Sequence, residues 1–275
     1  MVTNNLRQRK LFIELVAWWE GAVTNKQLTE QFDISRQQAY QDFKSYNEQL
    51  PGNLIQTSHG FKPRKEFIAH YISSDINQYL QWFSTKQLHQ YSPITSEVSH
   101  LSLPIRRVSV EVIRVLVKAI RQGKRMETNY ISLSNPESDG RIFHPHTLVN
   151  TGLRWHVRGY CEKSQQYRDL VLSRFRGVAE IIDGPYQDDT LDLAWQTYIP
   201  LILQPDPRLS PEKKAVLAHD YQMEGGQLIL NTRAALASYL LRELQVNIKM
   251  LDGTPEAQQL VLVNQDDIKK WLLNH

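Results

Sequence analysis

The chain has 275 residues, 41% hydrophobic and 22% charged, which suits two or three modest globular domains. No apolar run approaches the ~20 residues that span a bilayer, and the amino-terminal stretch lacks the apolar core of a secretion signal. The single cysteine, Cys161, excludes an intrachain disulfide and a multi-cysteine zinc site, so a reducing cytoplasm without membrane attachment is expected.

The net charge of +3 is unevenly spread. Lys and Arg stand against Asp and Glu as nine to six over residues 1–65, one to three over 66–104, fourteen to eight over 105–185 and eight to twelve over 186–275. The excess positive charge in the first and third segments marks two places to hold anions, unless it only solvates the surface.

Near the amino terminus Leu11, Phe12, Leu15, Val16 and Trp19 recur at helical spacing, and Gly21 closes the run. A short second helix is expected from Thr24 or Asn25 to about Phe32. After a tight turn Ser35 opens a third, with Ser35 and Gln38 spaced as a capping box and Ile34 and Ala39 as a hydrophobic staple. This is the order of a helix-turn-helix, and PGNLIQTSHGFKP adds two short strands about Ser58–Gly60, a wing. Ala39, Phe43, Tyr46 and Leu50 share one face of the third helix, whereas Arg36, Gln37, Gln41 and Lys44 crowd the other. In that layout Arg36 matches guanine O6 and N7, and Gln37 or Gln41 matches adenine. Tyr40 and Lys44 suit phosphates, and Lys26, Ser35, His59, Lys62 and Arg64 complete the expected DNA-contacting set. A plain three-helix bundle with a solvated face is the alternative.

Residues 66–104 read as two helical stretches, FIAHYI and SDINQYLQWF, the second capped by Ser74 or Asp75, then a linker from about Gln90 to Pro104. Ser109 caps an amphipathic helix carrying Val110, Ile113, Leu116, Val117 and Ile120, ended by Gly123. Four strands follow, RMETNYISLS, RIFHPHTLVN, LRWHVRGYCE and YRDLVLSRFRGVAEII, spaced for a small bent sheet or barrel.

Alternation in the third strand puts Trp155, Val157 and Gly159 on an apolar face and Arg154, His156, Arg158 and Tyr160 on a cationic, aromatic one. Arg174 and Arg176 share a face of the last strand. With Tyr130, Ser132, His144 and His146 these residues outline a pocket for an anion such as a nucleotide or oligonucleotide. His144-Pro145-His146 as a metal pair is the rival reading, but no Cys or carboxylate stands at ligand spacing, and neither metal nor cofactor is expected. The GxSxG, HExxH, P-loop and GxGxxG patterns are absent, so no catalytic residues are assigned, and Cys161 beside Glu162 reads as an inert small residue.

Residues 130–181 resemble a WYL domain, a small Sm-like barrel found in bacterial transcription regulators. The matching pieces are the Tyr130 strand, Arg141-Ile142-Phe143-His144-Pro145, Trp155-His156-Val157 in place of the Trp-Tyr-Leu triplet, Arg168-Asp169-Leu170 and Leu172-Ser173-Arg174-Phe175. The flanks agree. ISRQQAYQDF is similar to the reader domains of these regulators, and PLILQPDPRLSPEKKAVLAHDYQM with ASYLLRELQV resembles the extension that follows the barrel. The arrangement is most similar to the WYL regulators encoded with phage-defence systems such as BREX and CBASS operons.

That resemblance implies a homodimer that binds an inverted-repeat operator in double-stranded DNA and represses transcription. It also implies a nucleic-acid or nucleotide-like effector held by Tyr130, Ser132, His144, Trp155, His156 and Arg174. Arg158 and Arg176 are added from strand alternation, and His146 from the basic, aromatic pocket. His156 replaces a phenol by an imidazole that donates, accepts or becomes charged, and Trp155, on the apolar face, has a core position as its alternative. Arg141 and Arg168 suit structural salt bridges equally well.

In the acidic carboxy-terminal segment Ser210-Pro211-Glu212 starts a helix. Strand GQLILNT, helix AALASYLLREL, strands QVNIKML and AQQLVLV and a final helix DIKKWLL follow, a unit suited to dimer contact rather than to DNA. The expected architecture is a multidomain α+β chain. It comprises a winged helix-turn-helix over 1–65, a helical linker over 66–122, a WYL Sm-like barrel over 123–187 and an α+β extension over 188–275. Two other functions stay open: a nucleic-acid-processing enzyme using His144, His146 and His156, and an RNA-binding accessory or activator protein.

Overall fold

The computed structural model describes residues 2–73, 75–88, 106–137, 139–250 and 253–272, so the expected linker from Gln90 to Pro104 and the alternative cap Ser74 lie outside the described residues. The chain forms two compact units, residues 1–145 with 171–184, and residues 146–170 with 185–275.

The first unit opens with helix α1 (Val2–Glu20), which buries Phe12, Ile13, Leu15, Val16 and Trp19 almost completely. Thr24 and Gln27 close a capping box on α2 (Asn25–Phe32), and Asp33 ends it in the left-handed region at φ 50°. Ser35 Oγ then accepts from the Gln38 N–H and starts α3 (Arg36–Gln49). Strands β1 (Leu54–Thr57) and β2 (Gly60–Pro63) form the wing, an antiparallel hairpin with Thr57 opposite Gly60.

Phe61 of the wing stacks on Phe43 of α3 with ring centroids 4.1 Å apart, and it exchanges backbone hydrogen bonds of 2.8 and 2.9 Å with Val23. Gly60 permits this approach: its φ is +110°, and a Cβ there would lie 2.5 Å from the Val23 carbonyl oxygen. Gly60→Ala is therefore expected to destabilise the amino-terminal unit by about 1–3 kcal/mol. A denaturant midpoint equal to that of the parent would show that the wing adapts without strain.

FIAHYI is not helical. The N–H groups of His70, Tyr71 and Ile72 turn to the buried carboxylate of Glu14 instead of to carbonyls four residues back, at 3.0, 2.7 and 3.2 Å. Asp75 caps α4 (Ile76–Thr85). Helix α5 (Val110–Gln122) has Ser109 as its cap and Gly123 at φ 59° as its stop. Arg114 of α5 donates from Nε and Nη2 to the Trp18 carbonyl, at 3.0 and 2.6 Å. Arg121 forks onto Glu20 at 2.6 and 2.7 Å, and Glu20 also accepts from Tyr79 of α4.

Five strands follow: β3 (Arg125–Tyr130), β4 (Asp139–Asn150), β5 (Trp155–Cys161), β6 (Gln166–Val171) and β7 (Phe175–Ile182). Their order is β6-β5-β4-β3-β7, with α5 packed on β3 and β7. The fourth expected strand is thus two, broken by a 3-10 turn at Leu172–Arg174. Strands β6 and β7 are the two edges, so the sheet is open, and the closed Sm-like barrel expected from the sequence is not what the pairing among the described residues forms.

The second unit continues from β6 through a 3-10 turn at Asp189–Leu191 into α6 (Leu193–Gln196) and β8 (Tyr198–Pro205). Then come α7 (Pro211–Asp220), β9 (Leu228–Arg233), α8 (Ala237–Glu243), α9 (Pro255–Gln258), β10 (Leu260–Leu262) and α10 (Gln265–Leu272). An antiparallel sheet in the order β10-β8-β9 packs Ile199, Leu201, Leu203 and Leu260 against Ala237, Leu241, Ile268 and Leu272. The described residues of QVNIKML, 245–250, do not form the expected strand. Gln245 takes φ 57° directly after α8, Val246 tucks into this core, and Asn247 Oδ1 accepts from Lys249 and Met250 in a turn.

Candidate nucleic-acid interface

Ala39, Asp42, Phe43 and Tyr46 are the buried residues of α3. Opposite them Gln37, Gln41 and Lys44, spaced i, i+4, i+7, make one exposed stripe, flanked by exposed Arg36 and Tyr40. Among the described residues the side chains of Arg36, Gln37 and Gln41 have no partner, so their donors and acceptors stay available. Lys44 and Lys26 make only loose exposed pairs, with Glu48 at 4.0 Å and Glu30 at 3.6 Å. Ser35 uses its hydroxyl as the cap, and His59, Lys62 and Arg64 stand exposed on the wing and just beyond it.

What holds this helix was not visible in the sequence. Buried Asp42 is paired with Arg9 of α1 at 2.6 Å and also accepts from Gln38 Nε2 at 3.0 Å, so Gln38 does not complete the expected capping box. Buried Lys10 donates to Ser45 Oγ and Gln49 Oε1 at 2.9 and 2.6 Å, and loss of hydration lowers its pKa against the pull of Asp42 and Glu48. These contacts tie the back of α3 to α1 and leave its front free.

The nine expected effector residues fall in both units. In the first, Tyr130 is buried, its hydroxyl accepts from the Val171 N–H at 3.0 Å, and its ring lies against Phe175 and the Arg141 guanidinium. His144 is buried in β4, and Ser132 Oγ accepts from the Asn135 N–H in the loop after β3. Arg174 and Arg176 do not share a strand face. Arg174 belongs to the 3-10 turn, half-buried and without a side-chain partner among the described residues, while Arg176 Nη1 donates to the carbonyls of Ser173 and Phe175.

In the second unit Trp155 is half-buried and His156 buried, its ring 5.2 Å from that of Tyr239. The supposed open cationic face of β5 is covered. Arg158, 4% exposed, donates from Nε and Nη2 to both oxygens of Asp192 at 2.7 and 2.9 Å, and from Nη1 to Asp169 at 3.0 Å. Asp192 caps α6, and its Oδ2 lies 3.2 Å from His146 Nε2. Burial pushes the Asp192 carboxyl up, but the hydrogen bonds from His146 and Arg158 outweigh it and hold the group below the usual carboxylate range. Tyr239 donates to Asp169, and burial beside that carboxylate raises its phenol. Arg158 and His146 are thus buried and already engaged by carboxylates of the same unit.

The comparisons divide the chain along the same line of function. The family model described as the BrxR transcriptional regulator winged helix-turn-helix domain matches residues 5–85, the WYL domain residues 111–180, and the BrxR transcriptional regulator C-terminal dimerization domain residues 198–268. The DNA-binding transcriptional repressor CapW of Pseudomonas aeruginosa is 33% identical over 273 residues, 96% of this chain and 91% of that protein. CapW of Escherichia coli (strain KTE188) is 34% identical over 272 residues, 95% and 90% of the two chains. CapW of Stenotrophomonas maltophilia is 27% identical over 273 residues, 96% and 91%. Among solved structures, proteasome accessory factor B/C of Arthrobacter aurescens aligns with 98% of this chain and 48% of its own at 14% identity and a TM-score of 0.25, too loose a fit to bear on the fold. With an exposed polar stripe on the third helix of a winged helix-turn-helix, these three domains in this order and relatives above 30% identity over most of both chains, the chain belongs to the family of the CapW repressors.

Proposed function

We propose that the protein is a homodimeric transcriptional repressor that reads an inverted-repeat operator with α3 and the wing. The observation that carries this reading is the stripe of Arg36, Gln37, Gln41 and Lys44, exposed and uncommitted to any tight contact while the opposite side of α3 is anchored to α1. The names of the full-length relatives support it. In this division of labour residues 1–65 read DNA, 66–122 couple, the WYL segment 123–187 senses an effector on its open sheet, and 188–275 pair the protomers. No helix among the described residues is long and apolar enough to cross a membrane, and a DNA reader of this kind works in the cytoplasm. The target we infer is a phage-defence operon, as the resemblance suggests.

An anionic, nucleotide-like effector would be met by Arg174 with Ser132 and Arg176, the cationic and hydroxyl groups of the first unit that the core does not absorb. Helix α5 touches α1 on one side and β3 and β7 on the other, so a shift at the sheet has a direct route to the reader. An effector acts only through unequal affinity for the DNA-competent and DNA-free conformations. A processing enzyme is the weaker reading, because His144 and His156 are buried and His146 is held by Asp192 and Thr147.

The test is operator binding followed by fluorescence anisotropy. Each bidentate base contact is worth about 1–3 kcal/mol, so replacing Arg36 and Gln37 together by alanine is expected to weaken operator binding by about 100-fold or more while binding to unrelated DNA changes little. Lys62→Ala should instead weaken both and reduce the salt slope by about one. Unchanged operator affinity in the double variant would remove α3 from the role of reader.

A further inference from the structure

The family description assigns dimerization to residues 198–268 without saying which surface pairs. We infer that the open face of the β10-β8-β9 sheet is that surface and that its occupant is a second copy of this chain, a proposal that rests on the dimeric reading above. The sheet's register decides which side chains it presents. Ile199, Leu201 and Leu203 of β8 lie opposite Thr232, Leu230 and Leu228 of β9 and turn toward the core. The alternate positions therefore line the other face: Tyr198 and Ile202 on β8, Ile229 and Arg233 on β9, and Val261 on β10, opposite Gln204. Val263 extends the row, its N–H bonded to the Ile202 carbonyl.

Tyr198 is 61% exposed, Ile229 57% and Val263 46%, one from each strand and its continuation, so the apolar surface crosses the whole sheet. A two-sided sheet with one face in the core normally shows polar residues on the other, and a contiguous apolar face marks an interface.

Two features point to a second copy rather than to a different protein. Around a two-fold axis a patch meets its own copy, so a face carrying mainly one sign of charge would repel itself whereas a nearly uncharged apolar face does not. Among the outward positions of these strands, Tyr198, Pro200, Ile202, Gln204, Ile229, Asn231, Arg233 and Val261, only Arg233 is charged. Its guanidinium is also already held, 4.5 Å over the Trp195 ring and 4.8 Å over the Tyr198 ring, with Nη1 donating to the Trp195 carbonyl. A fixed Arg-Tyr-Trp group of this kind loses little side-chain freedom on association and is the composition that dominates interface energy.

Light scattering and sedimentation of the full-length chain test the assignment. Ile229→Asp and Val263→Asp place carboxylates on this face, and Val216→Asp places one on α7 at a position 59% exposed in the same domain. The parent and the Val216 variant are expected to be dimers. The two face variants should dissociate at least about 100-fold more readily, keep the parent's circular dichroism, and bind a single half-site with the parent's affinity while losing the full operator. A parent dimer whose stability is unchanged by both face variants would overturn the face while leaving the repressor reading intact. A monomeric parent that binds the operator without dimerizing would overturn the dimer and this proposal with it.

Discussion

Glu14→Leu should destabilise the amino-terminal unit by about 3–5 kcal/mol and abolish operator binding at temperatures where the parent is folded. The side chain has no exposure, and its carboxylate accepts from three consecutive backbone N–H groups, His70, Tyr71 and Ile72, and from the Tyr46 hydroxyl at 2.9 Å. Leucine fills a similar volume but accepts nothing, so four donors lose their partner at once. A buried donor left unsatisfied costs about 1–3 kcal/mol. The sum is not reached, because His70 is exposed and water can reach its N–H.

Tyr46 carries the effect to α3. Its phenol accepts from Asn53 Nδ2 at 2.8 Å, and Asn53 in turn exchanges hydrogen bonds with the backbone of Ile68. Burial and the adjacent carboxylate push the Tyr46 phenol well up, which keeps it a donor to Glu14 at any pH of interest. Glu14→Gln retains one acceptor oxygen and should lose about half as much stability. Denaturant unfolding gives both numbers, and hydrogen exchange at residues 70–72 gives the local cause. Parent-like exchange there in the leucine variant would show that the segment is held by something else.

Local chemistry was legible in the sequence wherever a few consecutive residues decide it. Ser35, Ser109 and Ser210 each cap the helix they were expected to start, and Gly123 stops α5 in a left-handed conformation. The exposed stripe of α3 follows from spacing alone, since Ala39, Phe43 and Tyr46 fix which side is core. Features that depend on distant residues were not legible. FIAHYI has a helical look, but Glu14, more than fifty residues earlier, competes for its N–H groups. QVNIKML has strand-like residues, but Gln245 has already turned the chain. Alternation groups Arg154, His156, Arg158 and Tyr160 on one face of β5 but does not show what covers it, because the aspartates that hold Arg158 stand 11 and 34 residues away. Strand periodicity reports which side chains share a face and is silent on what another segment lays over it.

That burial sets up the other large effect, Arg158→Met. Methionine keeps most of the volume but leaves Asp192 and Asp169 buried without their cation, and removing one partner of a buried pair costs about 3–5 kcal/mol. The sign of the pH dependence separates this from a packing defect. In the parent the folded-state pKa of Asp192 is depressed, so its contribution is complete above the unfolded aspartate value of about 3.9 and is lost as pH falls through the lower folded value. In the variant Arg158 no longer counters the burial of the carboxyl, so its folded-state pKa rises even though the hydrogen bonds from His146 and the Trp195 N–H remain. A raised acid destabilises most when it must stay ionised, so the variant should recover stability as pH falls from 7 toward 5, where the parent gains nothing. Adding Asp192→Asn to Arg158→Met should recover part of the loss at pH 7, because a neutral amide needs no counter-ion. A single variant equally impaired at pH 5 and pH 7, with no rescue in the double, would assign the loss to side-chain packing and leave the carboxylates of Asp192 and Asp169 without an electrostatic part in holding the carboxy-terminal unit together.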